Sequence, residues 1–261
     1  MFTERDLGGE LAAVRAAYAP DAVVLNAGTD FETLDPATAE DLLLLTESVD
    51  PLAPDPAWVP DTAPEQLQRY AGGEFTVGLP GDGGVAWTTQ TDPACVIVKP
   101  RLETSPADFV DFLVAEALVQ TSLDEPEQFL SFFGERYADL TAVTASRLGP
   151  SGTYQLALAL YDAYLGLQTR EAFAEWGDDY PELYAAWADA GERLEPRLAD
   201  LSGEVARGRT DFAAAAELAC SAVKHGLDLP APFAALDTSA YLDHGADYAV
   251  RWAEKTFEQL D

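Results

Sequence analysis

The spacing of hydrophobic positions changes character twice along the chain. Leu7, Leu11, Val14 and Tyr18 recur at helical spacing, and the continuous run Ala22-Val23-Val24-Leu25, closed by Asn26-Ala27-Gly28, reads as a short strand. Asp35 ahead of Pro36 supplies an N-cap and a first helical residue for a helix running through Thr38 to Val49. Between 50 and 64 stand Pro51, Pro54, Pro56, Pro60 and Pro64, a density that removes backbone donors too often for any regular element. This segment reads as a proline-stiffened loop with Trp58 as its anchor.

Alternation takes over next. Residues 74–78, from Glu74, then Val85 to Gln90, then Cys95 to Lys99 are separated by the turns Pro80-Gly81-Asp82-Gly83-Gly84 and Asp92-Pro93, which predicts an antiparallel three-stranded meander with Val23 to Leu25 as a further edge strand. Beyond Pro100 the period is helical. Ser105-Pro106 opens a helix over 108–120, Pro126 opens one to about Ser146, Gly149-Pro150-Ser151-Gly152 interrupts, and helices follow over 153–168, 170–176, 181–194, 211–225 and 239–260. The expected architecture is one α+β domain over 1–261. Its mixed part, 1–104, holds the loop 50–64 and a meander over 74–101; this small antiparallel sheet of three to four strands packs against a larger helical bundle, 105–261.

Charge narrows the functional classes. The 46 Asp and Glu against 15 Lys and Arg leave −31, so a nucleic-acid ligand or an anionic membrane surface would meet repulsion instead of a basic stripe. The acids are dispersed from Glu4 to Asp261 without a block of five like charges, the pattern of a solvated acidic surface suited to a molar-salt cytoplasm. Met1 to Asp6 carries mixed charge and no apolar stretch, and no run approaches the roughly 18 apolar residues of a membrane span. Cys95 and Cys220 lie among apolar neighbours and read as buried thiols. A cytoplasmic location is expected.

Candidate chemistry is sparse. The helix Phe109 to Gln120 is apolar on nearly every side, with Glu116 inside it as a possible base or as a buried, paired carboxylate. Following a meander, Ala115-Glu116-Ala117-Leu118-Val119 resembles the His-Glu-x-x-His helix of zincin metalloproteases. Alanine and valine stand where that family has its imidazole ligands, so the resemblance implies a scaffold without zinc. His225 and His244 could form a two-histidine metal site with Asp228, Asp237, Asp243 or Asp247, or could act as a helix cap and a surface residue. Nucleophile-elbow, phosphate-loop and calcium-loop spacings are absent, and no cofactor is expected.

Aromatic residues fall in stripes: Phe129, Phe132, Phe133 and Tyr137; Tyr154, Tyr161 and Tyr164; Tyr180, Tyr184 and Trp187; Tyr241, Tyr248 and Trp252. Such stripes are core, with the tyrosine content suggesting rings at the edge of a groove. Tyr161, Tyr164, Arg170 and Trp252 are the ligand-binding candidates on this face. Arg136, Arg170, Arg193, Arg197 and Arg251 read as ion-pair partners, or as holders of an anionic ligand.

At Asp92-Pro93 through Val98-Lys99-Pro100-Arg101, Asp108 through Leu118, Phe132-Phe133-Gly134-Glu135-Arg136-Tyr137, and Tyr248 through Phe257, the chain resembles a family of uncharacterised haloarchaeal proteins over its full length. That resemblance implies a salt-adapted archaeal cytoplasm and no particular activity. The functional expectation is therefore a non-catalytic protein that binds a partner or small ligand on its tyrosine-rich helical face. A hydrolase using Glu116 or the two histidines, and a structural subunit of a homo- or hetero-oligomer with Phe257 and Leu260 at its interface, stay open as alternatives.

Overall fold

A computed structural model describes residues 1–71, 73, 75–81 and 83–259. The order of elements is β1 (Phe2–Glu4), α1 (Gly9–Tyr18), β2 (Val23–Ala27), α2 (Pro36–Glu40), β3 (Ser48–Val49), α3 (Glu65–Tyr70), β4 (Val85–Thr88), β5 (Thr91–Asp92), β6 (Cys95–Val98), α4 (Ala107–Thr121), α5 (Phe129–Phe133), α6 (Arg136–Asp179), α7 (Pro181–Ala206), α8 (Phe212–Ser221) and α9 (Ser239–Gln259). Short 3-10 turns link several of them. The α+β class holds: a small four-stranded sheet lies in the N-terminal part and helices fill most of the rest. Glu74 of the expected meander, Asp82 of its turn and Leu260 of the last helix lie outside the described residues. Among the described residues no helix is long and apolar enough to cross a membrane.

The chain forms two compact units, one of residues 1–53, 73–127 and 175–187, the other of 54–72, 128–174 and 188–261. In the first, the strand order is β1-β2-β6-β4. The sheet is mixed, not wholly antiparallel as expected: β2 is not an edge but a central strand, running parallel to β6 with Val23 opposite Cys95 and Asn26 opposite Val98. β1 and β4 flank this pair antiparallel. All four residues of β6 are buried, which suits a strand covered on both faces. Leu25, Ala86, Cys95 and Ile97 cluster on one face with Phe2, Leu34, Leu42, Phe75 and Val77. On the other face α4 packs against β4 and β6, and α1 packs against α4.

The expected first strand of the meander does not form. Residues 75–79 are buried yet carry no strand ladder. Scattered bonds satisfy their backbone instead: Leu34 N–H donates to Val77 O (2.9 Å) and the Gln90 side-chain Nε2–H to Thr76 O (2.9 Å). Gln90 also accepts from Leu52 N–H through Oε1 at 2.9 Å. Glu127 closes this corner, taking Thr88 Oγ1–H (2.8 Å) and Thr89 N–H (3.0 Å) on Oε2 and Gln90 Nε2–H (2.8 Å) on Oε1. Charge-assisted bonds such as these, to a half-buried carboxylate, are the stronger kind. Glu127→Ala is therefore expected to lower unfolding free energy by about 2–3 kcal/mol, read by denaturant unfolding; a loss below about 0.5 kcal/mol would show that water replaces the carboxylate at no cost.

Helix boundaries follow their caps. Asp35 accepts Thr38 N–H at 3.1 Å and starts α2 as expected, but the helix stops at Glu40, tightens into a 3-10 turn over Asp41–Leu44, and gives way to β3, which pairs with β5. Pro106, not Ser105, holds the N-cap position of α4. In the proline-rich loop one turn does form, Pro56–Trp58, capped by Asp55 accepting Ala57 N–H at 2.9 Å. Half-buried Trp58 reaches the end of α5, where a Cβ on Gly134 would lie 3.8 Å from its ring. The single helix expected over 126–146 is broken at Gly134, whose φ of 53° ends α5. Gly149, at φ 64° and ψ 178°, interrupts α6 where the sequence places a break. Further on, the expected gap at residue 169 is closed: Thr169 Oγ1–H donates to Leu165 O at 3.0 Å, so the hydroxyl is satisfied within a continuous helix.

Candidate functional site

Three of the four aromatic stripes lie in the second unit, chiefly as core, whereas Tyr180, Tyr184 and Trp187 belong to the first. Phe132 of α5 lies 4.9 Å from the Tyr161 ring and 4.7 Å from the Tyr164 ring, both tyrosines being buried on α6. Their hydroxyl-bearing neighbours are tied inward as well. Tyr241 Oη–H donates to Leu160 O at 2.6 Å, and Gln168 Nε2–H donates to Tyr164 Oη at 3.2 Å. Burial pushes the Tyr137 phenol up to about 12 and the Tyr241 phenol well above its ordinary value, which leaves neither poised for acid–base work. Gly245 permits this packing: at φ 46° it breaks α9, and a Cβ there would come within 3.3 Å of the Phe132 ring. Arg170 forms an ion pair with Asp237.

Of the ligand candidates, Trp252 borders an open concavity. A groove of about 510 Å³ runs along α9, with Trp252, Thr256 and Tyr248 from the helix facing Pro232 and Ala235 of the preceding segment. Two hydrogen bonds fix these walls to each other. Trp252 Nε1–H donates to Pro232 O at 3.0 Å, and Tyr248 Oη–H donates to Ala235 O at 2.7 Å. Phe233 packs against Trp252 with the rings tilted and their centroids 6.0 Å apart, so the indole is held from one side. Exposed His244, Arg251 and Lys255 form the rim.

The arginines divide into two groups. Arg136 pairs with Asp139 and Asp247, Arg170 with Asp237, and Arg193 with Asp189, as expected. Among the described residues Arg251 and Arg197 make no ion pair, and neither does Lys255.

Of the remaining sequence candidates, His244 lines this groove, and Glu116 and His225 are not among its lining residues. Glu116 is buried within α4 in the first unit, among Val114, Ala115, Ala117, Leu118 and Val119. His225 ends a 3-10 turn capped by Gly226 in the left-handed region and packs against α7, where a Cβ on Gly191 would come 3.2–3.3 Å from it. His244 is on the groove rim of α9. Among the described residues no group of three or more His, Cys, Asp and Glu is arranged to hold a metal ion. Both cysteines are free and buried, and desolvation pushes each thiol upward, away from the reactive thiolate.

One cluster has no counterpart in the sequence reading. Past the C-terminal ends of the parallel strands β2 and β6, Arg101 Nε–H donates to Asp30 Oδ1 at 2.8 Å, its NH2 group lies 2.8 Å from Glu32 Oε1, and Lys99, 1% exposed, sets its ammonium 4.8 Å from the centre of the Phe31 ring. The partners are some 70 residues apart, which is why no local spacing announces them. The Arg101 hydrogen bond, followed by its charge, holds the Asp30 carboxyl below the ordinary range. A carboxyl depressed in the folded state adds stability at pH above its unfolded value and loses it as pH falls through the folded one. Arg101→Met is expected to move the Asp30 titration upward to the ordinary range, read by carboxyl-carbon NMR; an unmoved titration would assign the depression to the neighbouring backbone instead.

No curated protein and no solved structure matches the chain significantly. A family model, by contrast, runs across the elements of both units, from β1 to the end of α9. Over residues 1–260 the match is to the family of unknown function DUF7089, and the chain belongs to that family.

Proposed function

We propose that this chain is a non-catalytic binding protein that seats a small ligand in the groove along α9. The observation that carries the reading is the construction of that groove. Trp252 and Tyr248 have their polar atoms bonded to Pro232 O and Ala235 O, so the apolar walls stand preformed and a ligand does not bear the entropy of ordering them. Its size falls in the range of small-molecule sites. The setting that goes with this reading is a salt-adapted archaeal cytoplasm, supported by the net charge of −31 spread along the whole chain. The test is a screen of neutral and charged aromatic fragments by amide and indole NMR, with the Trp252 indole assigned by Trp252→Phe. Saturable shifts confined to α9 and residues 232–236 are expected. A screen in which no fragment moves the Trp252 indole would overturn the reading.

A further inference from the structure

We infer that the groove along α9 selects a small organic anion, a carboxylate or phosphate monoester on a flat apolar body. The inference rests on the reading of that groove as the binding site and adds the charge of its occupant. Its ground is an inversion of the chain's own composition. The sequence has 46 carboxylate side chains and only 15 lysines and arginines, yet none of the described carboxylates lines the groove, while Arg251, Lys255 and His244 do. While Arg15, Arg197, Arg207 and Arg209 make no ion pair among the described residues, six arginines do: Arg5, Arg69, Arg101, Arg136, Arg170 and Arg193 each have a carboxylate within 4 Å. Arg251 and Lys255 instead make no ion pair among the described residues, although Glu254 and Glu258 stand on the same helix.

The helix geometry makes the two cations act together. Positions 251 and 255 are one turn apart, so their heads project over the same stretch of wall, and Tyr248 and Trp252 on that turn supply the apolar surface beneath. A guanidinium presents a planar pair of donors that fits a carboxylate or phosphate, and the ammonium adds a second charge. The anion head then sits at the rim and the apolar body lies toward Pro232 and Ala235.

The experiment compares indole-3-acetate, indole-3-acetamide and tryptamine, which share one ring and differ in charge, by NMR titration of the wild-type chain and of the Arg251→Met/Lys255→Met double variant in molar KCl. At 1 M salt the Debye length is about 3 Å, so only contact pairing survives and long-range attraction does not contribute. Phenyl phosphate against phenol repeats the comparison with a phosphate head. Expected is binding of indole-3-acetate at least about tenfold tighter than the acetamide, with tryptamine weakest. In the double variant that preference falls below about twofold while acetamide affinity is unchanged; Arg251→Lys restores part of it. Equal affinity of acetate and acetamide in the wild type would overturn the anion inference and leave the groove reading standing. A preference that persists in the double variant would overturn it too, by placing the anion elsewhere. If none of the three indoles moves the Trp252 indole, both readings fall.

Discussion

Lowering the salt from 2 M to 0.1 M KCl is expected to reduce the thermal midpoint of this chain by tens of degrees or leave it unfolded. The net charge is −31, and two like charges 10 Å apart repel by about 0.4 kcal/mol in water. At 0.1 M the Debye length is about 10 Å and roughly a third of that repulsion persists; at 1 M it is about 3 Å and only a few per cent does. Each unbalanced carboxylate has several neighbours within reach, so the sum is on the order of several kcal/mol, the size of an ordinary folding free energy. The unfolded chain repels itself less because it is larger, so the folded state bears the difference. Circular dichroism melts across the KCl series measure the effect. Changing the exposed Glu171, Glu175, Asp178, Glu192, Glu195 and Asp200 to their amides should flatten the salt dependence, since none is an ion-pair partner. A midpoint that does not move with KCl, or a variant with the parent's slope, would sink the electrostatic account.

Local signals carried the reading of this fold where the structure is local. The Asp35-Pro36 start and the Gly149 break are each decided by residues within a turn of one another. The sheet is different. Whether Val23–Ala27 lies at an edge or in the centre depends on Cys95–Val98, about 70 residues away, and an apolar run reads the same beside a parallel or an antiparallel neighbour. The same limit misassigned Thr38 to Val49. Its leucines suggest one helical face, yet Leu42 is fully buried while Leu44 is 83% exposed, and Ser48–Val49 is claimed by Thr91–Asp92.

The site was legible to a similar depth. The stripe Tyr241, Tyr248 and Trp252 is visible in the sequence, as is the alternative that an arginine among tyrosines holds an anion. Tyr161, Tyr164 and Trp252 are all buried, and what sets Trp252 beside a groove is the segment holding Pro232 and Ala235, whose path no period encodes. The ion pair of Arg170 and the free rim position of Arg251 differ in the same way: each has acids nearby in sequence, and only the placement of Asp237 beside Arg170 decides which cation is neutralised. Scarcity of basic residues in an acidic chain was the available signal, and it becomes informative once the carboxylates are located.

Phe129→Ala is expected to lower the unfolding free energy by about 3–5 kcal/mol. The ring is 1% exposed and sits at 5.6 Å from Tyr137 and 5.5 Å, edge-on, from Tyr154, so it joins the start of α5 to both segments of α6 on either side of the Gly149 break. Removing it leaves a cavity that neither segment can close easily, because Tyr154 is in turn buried and Tyr137 is held at the first turn of its helix. The loss combines the transfer of an aromatic ring to water with the void left behind, beyond which aromatic pairing adds about 0.5–1.5 kcal/mol. The control is Phe109→Ala on α4, where the ring is 36% exposed; there a change within about 1 kcal/mol is expected. Chemical denaturation at fixed molar KCl reads both variants without moving the electrostatic term. Equal losses for the two would mean that α5 is not fastened through Phe129, and a loss below about 1 kcal/mol at Phe129 would mean that the segments around Gly149 are held together by other contacts.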